Sequence, residues 1–275
     1  MTAESSNPGG SLLLAWQLKN KHVLIIGGGE VASGRIESVL IANARITIIC
    51  PSQGLHSITK RFINGSHPIT YHDRVFDGAE DLDDVDMVLT AIDDVAQSRI
   101  IYSLCRDLKI PVNVADIPDS CDFYFGSQIR DGPLQIMIST NGQSPKLANI
   151  IKKKIQKSLP NRAGEAIRKV GDLRSKLKDR APGVGGEVSK RRMKWMVDVC
   201  TSWEMDDLAL LNEETIKRLL DDGWETNSVP PPDDVVGRRN RTFDAAPTSI
   251  HVFPCMVAFI AGAACAGVLL FSRHR

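Results

Sequence analysis

The sequence feature that most constrains the fold is a glycine loop directly after an apolar stretch. Residues 23–26 are typical of a buried strand, and the pattern Gly27-x-Gly29-x-x-Ala32 opens a predicted helix at 31–42. A glycine loop between a strand and a helix is the context of the dinucleotide-binding fingerprint, in which backbone groups approach a pyrophosphate at the helix N-terminus. The sequence therefore predicts a Rossmann-like domain.

One part of that fingerprint is missing. An Asp or Glu that binds the ribose hydroxyls is expected about 20 residues after the glycines. The second predicted strand, 45–50, instead runs into Pro51 and Ser52 with neither an acid nor an arginine at its end. Backbone groups and Ser52 would have to contact the ribose, so this feature does not decide between NAD and NADP.

Further predicted strands at 69–72, 86–92 and 111–115 alternate with a predicted helix at 95–108. Alternating strands and helices favour a doubly wound parallel sheet. Asp93 and Asp94 follow the 86–92 strand. Their position suits either contact with the cofactor or capping of the next helix.

The segment 112–126, VNVADIPDSCDFYFG, delivers one carboxylate to the end of a predicted strand. Ligands of open parallel sheets bind beyond the carboxyl ends of the strands, so Asp116 is a candidate catalytic residue. An Asp close to a proline is also common turn material. Asp119 and Asp122 are more typical of turns and caps. Tyr124 and its neighbours suit either packing of a dimer region or an aromatic wall against a flat ligand.

Charge is distributed unevenly along the chain. Residues 73–122 carry 13 acidic and 4 basic side chains, whereas residues 145–194 carry 16 basic and 4 acidic ones. The basic segment could receive an anion, although most of its lysines are expected to be solvated on helix surfaces. The six cysteines show no CxxC and no Cys/His ligand spacing, so the sequence predicts no metal site.

The sequence of the C-terminal half predicts helices, among them one over 190–211 and one over 213–220, and then two further segments. Residues 229–251 are rich in proline and charge and predict a disordered tether. Residues 252–271 carry no charge, and a helix of that length would span roughly 30 Å, the thickness of the bilayer hydrocarbon. A buried core helix is the alternative. The sequence thus predicts a C-terminal transmembrane helix that anchors the chain on the cytosolic face of a membrane.

The glycine loop GGGEVASGR, the segment VNVADIPDSCDFYFG and ISTNGQSPKLA at 138–148 resemble, in order and spacing, the sirohaem synthase family. Within it they are similar to the fungal bifunctional precorrin-2 dehydrogenases/sirohydrochlorin ferrochelatases. The resemblance covers residues 11–223. It implies NAD-dependent oxidation of precorrin-2 to sirohydrochlorin and insertion of ferrous iron, a substrate, to give sirohaem. The resemblance also implies a homodimer, and it implies that the chain has no nucleic acid partner.

The resemblance assigns Asp116 to both activities as a general base. It also places Glu30, Val31, Pro51 and Ser52 beside NAD. These four residues join the glycines of the fingerprint, Gly27, Gly28 and Gly29, as predicted cofactor-binding residues. The alternatives are a dehydrogenase whose chelation step occurs elsewhere and a membrane-tethered NAD-binding scaffold without turnover.

The full prediction is an α/β fold class. A disordered leader at 1–10 precedes an N-terminal Rossmann-like parallel sheet (11–117), a central α/β dimerisation region (118–160) and a C-terminal helical domain (161–228). The tether and the single C-terminal transmembrane helix follow.

Overall fold

The computed structural model of the chain describes residues 10–237. Nearly all of the predicted leader, most of the predicted tether and the predicted helix at 252–271 lie outside that range. The chain divides into two compact units, the first ending at Leu173 and the second starting at Arg174.

The first unit is built on a five-stranded parallel sheet with the order β3-β2-β1-β4-β5. The chain runs outward from β1 to β3 and then returns to place β4 on the other side of β1. The order in which the strands are added to the sheet therefore reverses between β1 and β4, and ligands of open α/β sheets bind at such a reversal. The strands are β1 (His22–Ile26), β2 (Arg45–Ile49), β3 (Ile69–His72), β4 (Met87–Thr90) and β5 (Val112–Val114).

The sheet has an apolar core on each face, because alternate side chains of a strand point to opposite sides. In β1, Val23 and Ile25 belong to one core, and Leu24 and Ile26 belong to the other. Helices cover both faces, as a parallel sheet requires. The helices of this part are α1 (Glu30–Ile41), α2 (Ser57–Ile63) and α3 (Val95–Asp107). Helix α1 contributes Ala32, Ile36 and Val39 to the first core. Helix α3 contributes Ile101 and Cys105 to the second core.

A small antiparallel pair follows the sheet. It consists of β6 (Ser127–Asp131) and β7 (Leu134–Ile138), and α4 (Pro145–Ser158) comes next. Strand β6 was not predicted, because its sequence SQIRD is polar and lacks a clear apolar alternation. Helix α2 was also missed, since seven residues are too few to show a helical period.

Helix α5 (Ala163–Arg180) contains the division between the units, and the remaining helices belong to the second unit. These are α6 (Gly186–Ser202), α7 (Met205–Leu208), α8 (Glu213–Arg218), a wider helical turn at Leu219–Trp224 and α9 (Pro232–Val236). One helix was predicted over 190–211, but the structure has two. The backbone at Trp203 is extended, and it ends α6.

The predicted tether begins too early. Trp195 Nε1 donates to the Ser228 carbonyl at 2.7 Å, and Trp203 Nε1 donates to the Pro230 carbonyl at 3.0 Å. The side chain of Val235 in α9 is buried. Residues 229–237 are therefore ordered, because two buried indoles supply donors to a proline-rich segment that has few partners of its own.

The membrane-anchored part of the predicted fold is corrected. Across residues 10–237 no helix is both long and apolar enough to cross a membrane. The longest described helix, α5, has 18 residues and is charged along its whole length. The segment 252–271 lies outside the described residues. The transmembrane helix and the location on a membrane are therefore withdrawn, and the supported fold is an α/β chain with a five-stranded parallel sheet and helices.

Two adjacent isoleucines of α3 test the assignment of the core. Ile101 is fully buried, whereas Ile100 is 54% exposed. Ile101→Ala should lower the free energy of unfolding by about 2–5 kcal/mol, because it removes buried methyl groups and leaves a cavity. Ile100→Ala, the matched control, should change it by no more than about 0.5 kcal/mol. Urea denaturation followed by circular dichroism measures both, and equal effects would contradict the packing described here.

Candidate functional site

The first glycine of the loop is required by backbone packing. Gly27 follows β1 with a φ of +112°, which side-chain-bearing residues rarely adopt. A Cβ at this position would lie 2.1 Å from the carbonyl oxygen of Ala91, the residue after β4. The Gly27 N–H donates to the Ile49 carbonyl at 3.0 Å. The loop is therefore held against the ends of both neighbouring strands.

The next two glycines have different surroundings. A Cβ on Gly28 would lie 2.5 Å from the Leu55 side chain and 2.9 Å from the Cys50 sulfur. The Gly28 carbonyl accepts a hydrogen bond from the His56 N–H at 2.8 Å. A Cβ on Gly29 would meet nothing within 4 Å. Gly29 is also the N-cap of α1 and no side chain caps this end, so the open space lies at a helix N-terminus. This cradle fits a pyrophosphate, since it combines free approach with N–H donors.

The remaining predicted cofactor residues lie beside this cradle. Glu30 and Val31 form the exposed first turn of α1. Pro51 and Ser52 are half-buried after β2. All of them are at the carboxyl edge of the sheet, next to the glycines.

An acid that sequence reasoning missed contacts this edge. The Ser52 N–H donates to Asp73 Oδ1 at 2.7 Å. The Tyr71 hydroxyl donates to the Cys50 carbonyl at 2.8 Å. The pKa of Tyr71 is raised, first by burial and then by the Asp73 carboxylate. Asp73 directly follows the predicted strand 69–72, and that position was the available signal.

Asp116 lies two residues after β5, at the same edge of the sheet. It is exposed, and its φ of +60° is left-handed, a conformation that Asp tolerates better than most residues. The chain immediately before it is fixed, because the Ala115 N–H donates to the Thr90 carbonyl of β4 at 2.9 Å. The carboxylate is therefore presented by a constrained turn.

The chain after Asp116 folds back along β5. The Val112 N–H donates to Asp122 Oδ2 at 3.1 Å, and the Asp122 N–H donates to the Val112 carbonyl at 2.9 Å. The Cys121 thiol donates to the Val114 carbonyl at 3.1 Å. Asp122 also pairs with Arg106 at 2.9 Å. Asp122 is thus a structural residue, in agreement with the turn-and-cap interpretation.

The other acids at this edge have separate positions. Asp94 caps α3 by accepting the Gln97 N–H at 2.9 Å, so the capping alternative applies to it. Asp93 and Asp119 are exposed, and Asp119 lies in the short helical turn Pro118–Ser120.

A cation that was not predicted, Arg35, interacts electrostatically with Asp116. The Arg35 guanidinium of α1 is 3.8 Å from the centre of the Phe125 ring. Burial lowers the pKa of Arg35, while Cys121 and the Asp116 carboxylate act in the opposite direction. An arginine stays charged in proteins. The positive charge of Arg35, on the helix that the glycine loop begins, therefore interacts electrostatically with the candidate catalytic carboxylate.

The sheet order brings these groups together. The glycine loop follows β1, and Asp116 follows β5, with only β4 between them. At the usual strand spacing the two positions are roughly 10 Å apart across the sheet. The site therefore combines a dinucleotide cradle and a carboxylate at one edge of the sheet, and the Arg35 cation interacts electrostatically with that carboxylate. Among residues 10–237, no group of three or more His, Cys, Asp or Glu side chains is arranged to hold a metal ion.

Models of three protein families match consecutive parts of the chain. Residues 14–127 match "Putative NAD(P)-binding", residues 131–158 match "Sirohaem biosynthesis protein central" and residues 160–230 match "Sirohaem biosynthesis protein C-terminal". The first covers the sheet and the whole site described above.

Curated proteins extend this similarity. A siroheme biosynthesis protein of Schizosaccharomyces pombe is 52% identical over 79% of this chain and 81% of its own length. One of Saccharomyces cerevisiae is 32% identical over 77% and 89%. A siroheme synthase of a Psychrobacter species is 33% identical over 66% of this chain, which spans only 36% of that longer protein.

Among solved structures, SirC, a precorrin-2 dehydrogenase, matches with a TM-score of 0.58 over 77% of this chain and 98% of that one. At 22% identity that likeness supports the fold. The identity to the fungal proteins, over most of both lengths, decides the family: this chain belongs to the sirohaem biosynthesis proteins.

Proposed function

We propose that this chain makes sirohaem in two steps, NAD-dependent oxidation of precorrin-2 to sirohydrochlorin and insertion of ferrous iron, with Asp116 as general base in both. The observation that carries the proposal is the shared sheet edge of the glycine cradle and Asp116 in a member of this family. The iron is a substrate.

The cradle residues have the properties that NAD binding needs. Gly29 leaves space at the N-terminus of α1, where N–H groups and the helix dipole favour a pyrophosphate. Glu30 and Val31 border this space, and Pro51 and Ser52 border the adenosine side. When bound, NAD supplies the hydride acceptor for the oxidation.

Asp116 would handle the protons. Oxidation of precorrin-2 releases one proton together with the hydride, and iron insertion releases two protons from pyrrole N–H groups. An exposed carboxylate on a constrained turn can accept a proton in either step, and such a positioned base contributes about 10²–10⁴-fold in rate. Carboxylate oxygen is also a weak ligand for ferrous iron, which suits a metal that must leave with the product.

Arg35 supports a site for an anionic substrate. The substrate carries eight carboxylates, and a half-buried guanidinium attracts a carboxylate more strongly than an exposed one does. The Phe125 ring limits the directions in which this guanidinium can point. We infer that Arg35 holds a substrate carboxylate next to the base.

We also propose a homodimer that uses the exposed apolar face of α4. Leu147, Ile150 and Ile151 are 55%, 41% and 42% exposed, on a helix whose remaining positions include several lysines. Apolar side chains in one helical row are normally covered. A second copy of the chain is the occupant that the family resemblance indicates.

Replacement of Asp116 tests the catalytic proposal. Asp116→Asn keeps the size of the side chain and tolerates the left-handed backbone, but it removes the base. The rate of sirohydrochlorin formation should fall by about 10²–10⁴-fold. Absorbance assays with precorrin-2 and NAD, and then with sirohydrochlorin and ferrous iron, measure the two activities.

Asp119→Asn is the matched control, because it neutralises an exposed acid three residues away, and it should leave both rates unchanged. Activity of the Asp116→Asn variant near that of the wild type would refute the role of the base. If the Asp116→Asn variant loses only the oxidation of precorrin-2, Asp116 is the base of the dehydrogenase step and iron insertion does not use it.

Replacement of Gly29 tests the cradle. Gly29→Ala has room for its methyl group and an ordinary extended backbone, so the fold should be retained. The methyl group would occupy the space for the pyrophosphate and weaken NAD binding by at least roughly tenfold, or about 1.4 kcal/mol. Isothermal titration calorimetry measures the dissociation constant. Gly34→Ala, also in α1 and with nothing within 4 Å, should bind NAD normally, and an equal loss in both variants would count against the cradle.

The dimer proposal has its own test. Leu147 and Ile151 are four residues apart on α4 and therefore lie on one side of it. The double variant Leu147→Asp/Ile151→Asp should change the mass measured by light scattering from twice 30.2 kDa to 30.2 kDa. Gln156→Asp introduces the same charge nine residues from Leu147, on the opposite side of α4, and should remain dimeric. A monomeric wild type would end the proposal.

A further inference from the structure

The fingerprint acid that is absent after β2 has a counterpart on the neighbouring strand. In the usual arrangement a carboxylate at the end of the second strand binds the ribose hydroxyls of the adenosine half. Here Cys50, Pro51 and Ser52 occupy that place. Asp73 follows β3, and its Oδ1 accepts the Ser52 N–H at 2.7 Å.

The register of the sheet explains why this carboxylate reaches the end of β2. Strands β2 and β3 are parallel, with Ile49 opposite His72. The Cys50 N–H then donates to the His72 carbonyl at 3.2 Å, which extends the pairing by one residue. Asp73 is the next residue, so its side chain stands beside the backbone that follows β2.

Two neighbouring groups respond to the Asp73 charge. The pKa of Cys50 is raised, first by burial and then by Asp73, and Asp73 also contributes to the raised pKa of Tyr71. Cys50 directly follows β2, and Tyr71 lies in β3. The negative charge of Asp73 is therefore directed at the edge where the adenosine half would lie.

We propose that Asp73 takes over the role of the missing acid: its carboxylate accepts hydrogen bonds from the adenosine ribose and excludes a 2′-phosphate, so that the chain selects NAD over NADP. A carboxylate has about four acceptor sites, so the Ser52 bond leaves capacity for hydroxyl groups. The 2′-phosphate of NADP would bring a second anion to the same position. This inference rests on the proposed dinucleotide site.

A purely structural role is the competing explanation. In that case Asp73 would only hold Ser52 in place. Asp73→Asn separates the two roles, because the amide oxygen can still accept the Ser52 N–H while the negative charge is lost. Asp73→Ser also removes the charge, with a shorter side chain, and replaces Asp73→Asn in the measurement if that variant is unstable. Thermal denaturation checks that both variants fold.

The experiment is calorimetric titration of the full chain with NAD and with NADP. The wild type should bind NAD more tightly, and both Asp73 variants should shift the ratio of the two dissociation constants by at least roughly tenfold towards NADP. The preference of the wild type should also weaken as salt is raised, whereas that of Asp73→Asn should not.

Asp84→Asn is the matched control. It removes one exposed acidic charge at the opposite edge of the sheet, where Asp84 pairs with Arg45 at the start of β2 at 3.5 Å. The ratio of its dissociation constants for NAD and NADP should equal that of the wild type. An unchanged ratio in the folded Asp73 variants would overturn the inference and leave the proposed function standing. A wild type that binds neither dinucleotide would overturn both.

Discussion

The contact between Gly27 and the backbone of Ala91 is the constraint on which the site depends. It brings the loops after β1 and β4 closer together than any side chain at position 27 would allow. Helix α1 begins immediately beyond the loop, so this contact also sets where its N-terminus lies. The same strand ends hold the turn before Asp116 through Thr90. One close backbone approach therefore aligns the cradle with the catalytic candidate.

The residues around Asp116 show how a short strand can present a charged group precisely. Strand β5 has only three residues, and the chain after the turn pairs back onto it through Cys121 and Asp122. These bonds support a left-handed residue that would otherwise be unfavourable. Strained or unusual backbone is often found at functional sites, and here the cause is visible in the returning chain.

Sequence patterns predicted the features that depend on neighbouring residues. The glycine loop, the alternating strands and helices and the position of Asp116 at a strand end were all visible locally. Asp73 and Arg35 were missed because their positions depend on strand register and on packing between α1 and the Phe125 loop. The order of 229–237 was missed because tryptophans about 30 residues earlier supply the hydrogen bonds. Long-range partners of this kind leave no periodic signal in the chain.

The strand order also separates two acids that would conflict if they were close. Asp73 follows β3 and Asp116 follows β5, the two outer strands of the sheet. Four strand spacings place them roughly 19 Å apart, about twice the distance over which charges interact strongly at physiological salt. If Asp73 selects the cofactor as proposed, its negative charge would therefore leave proton transfer at Asp116 undisturbed.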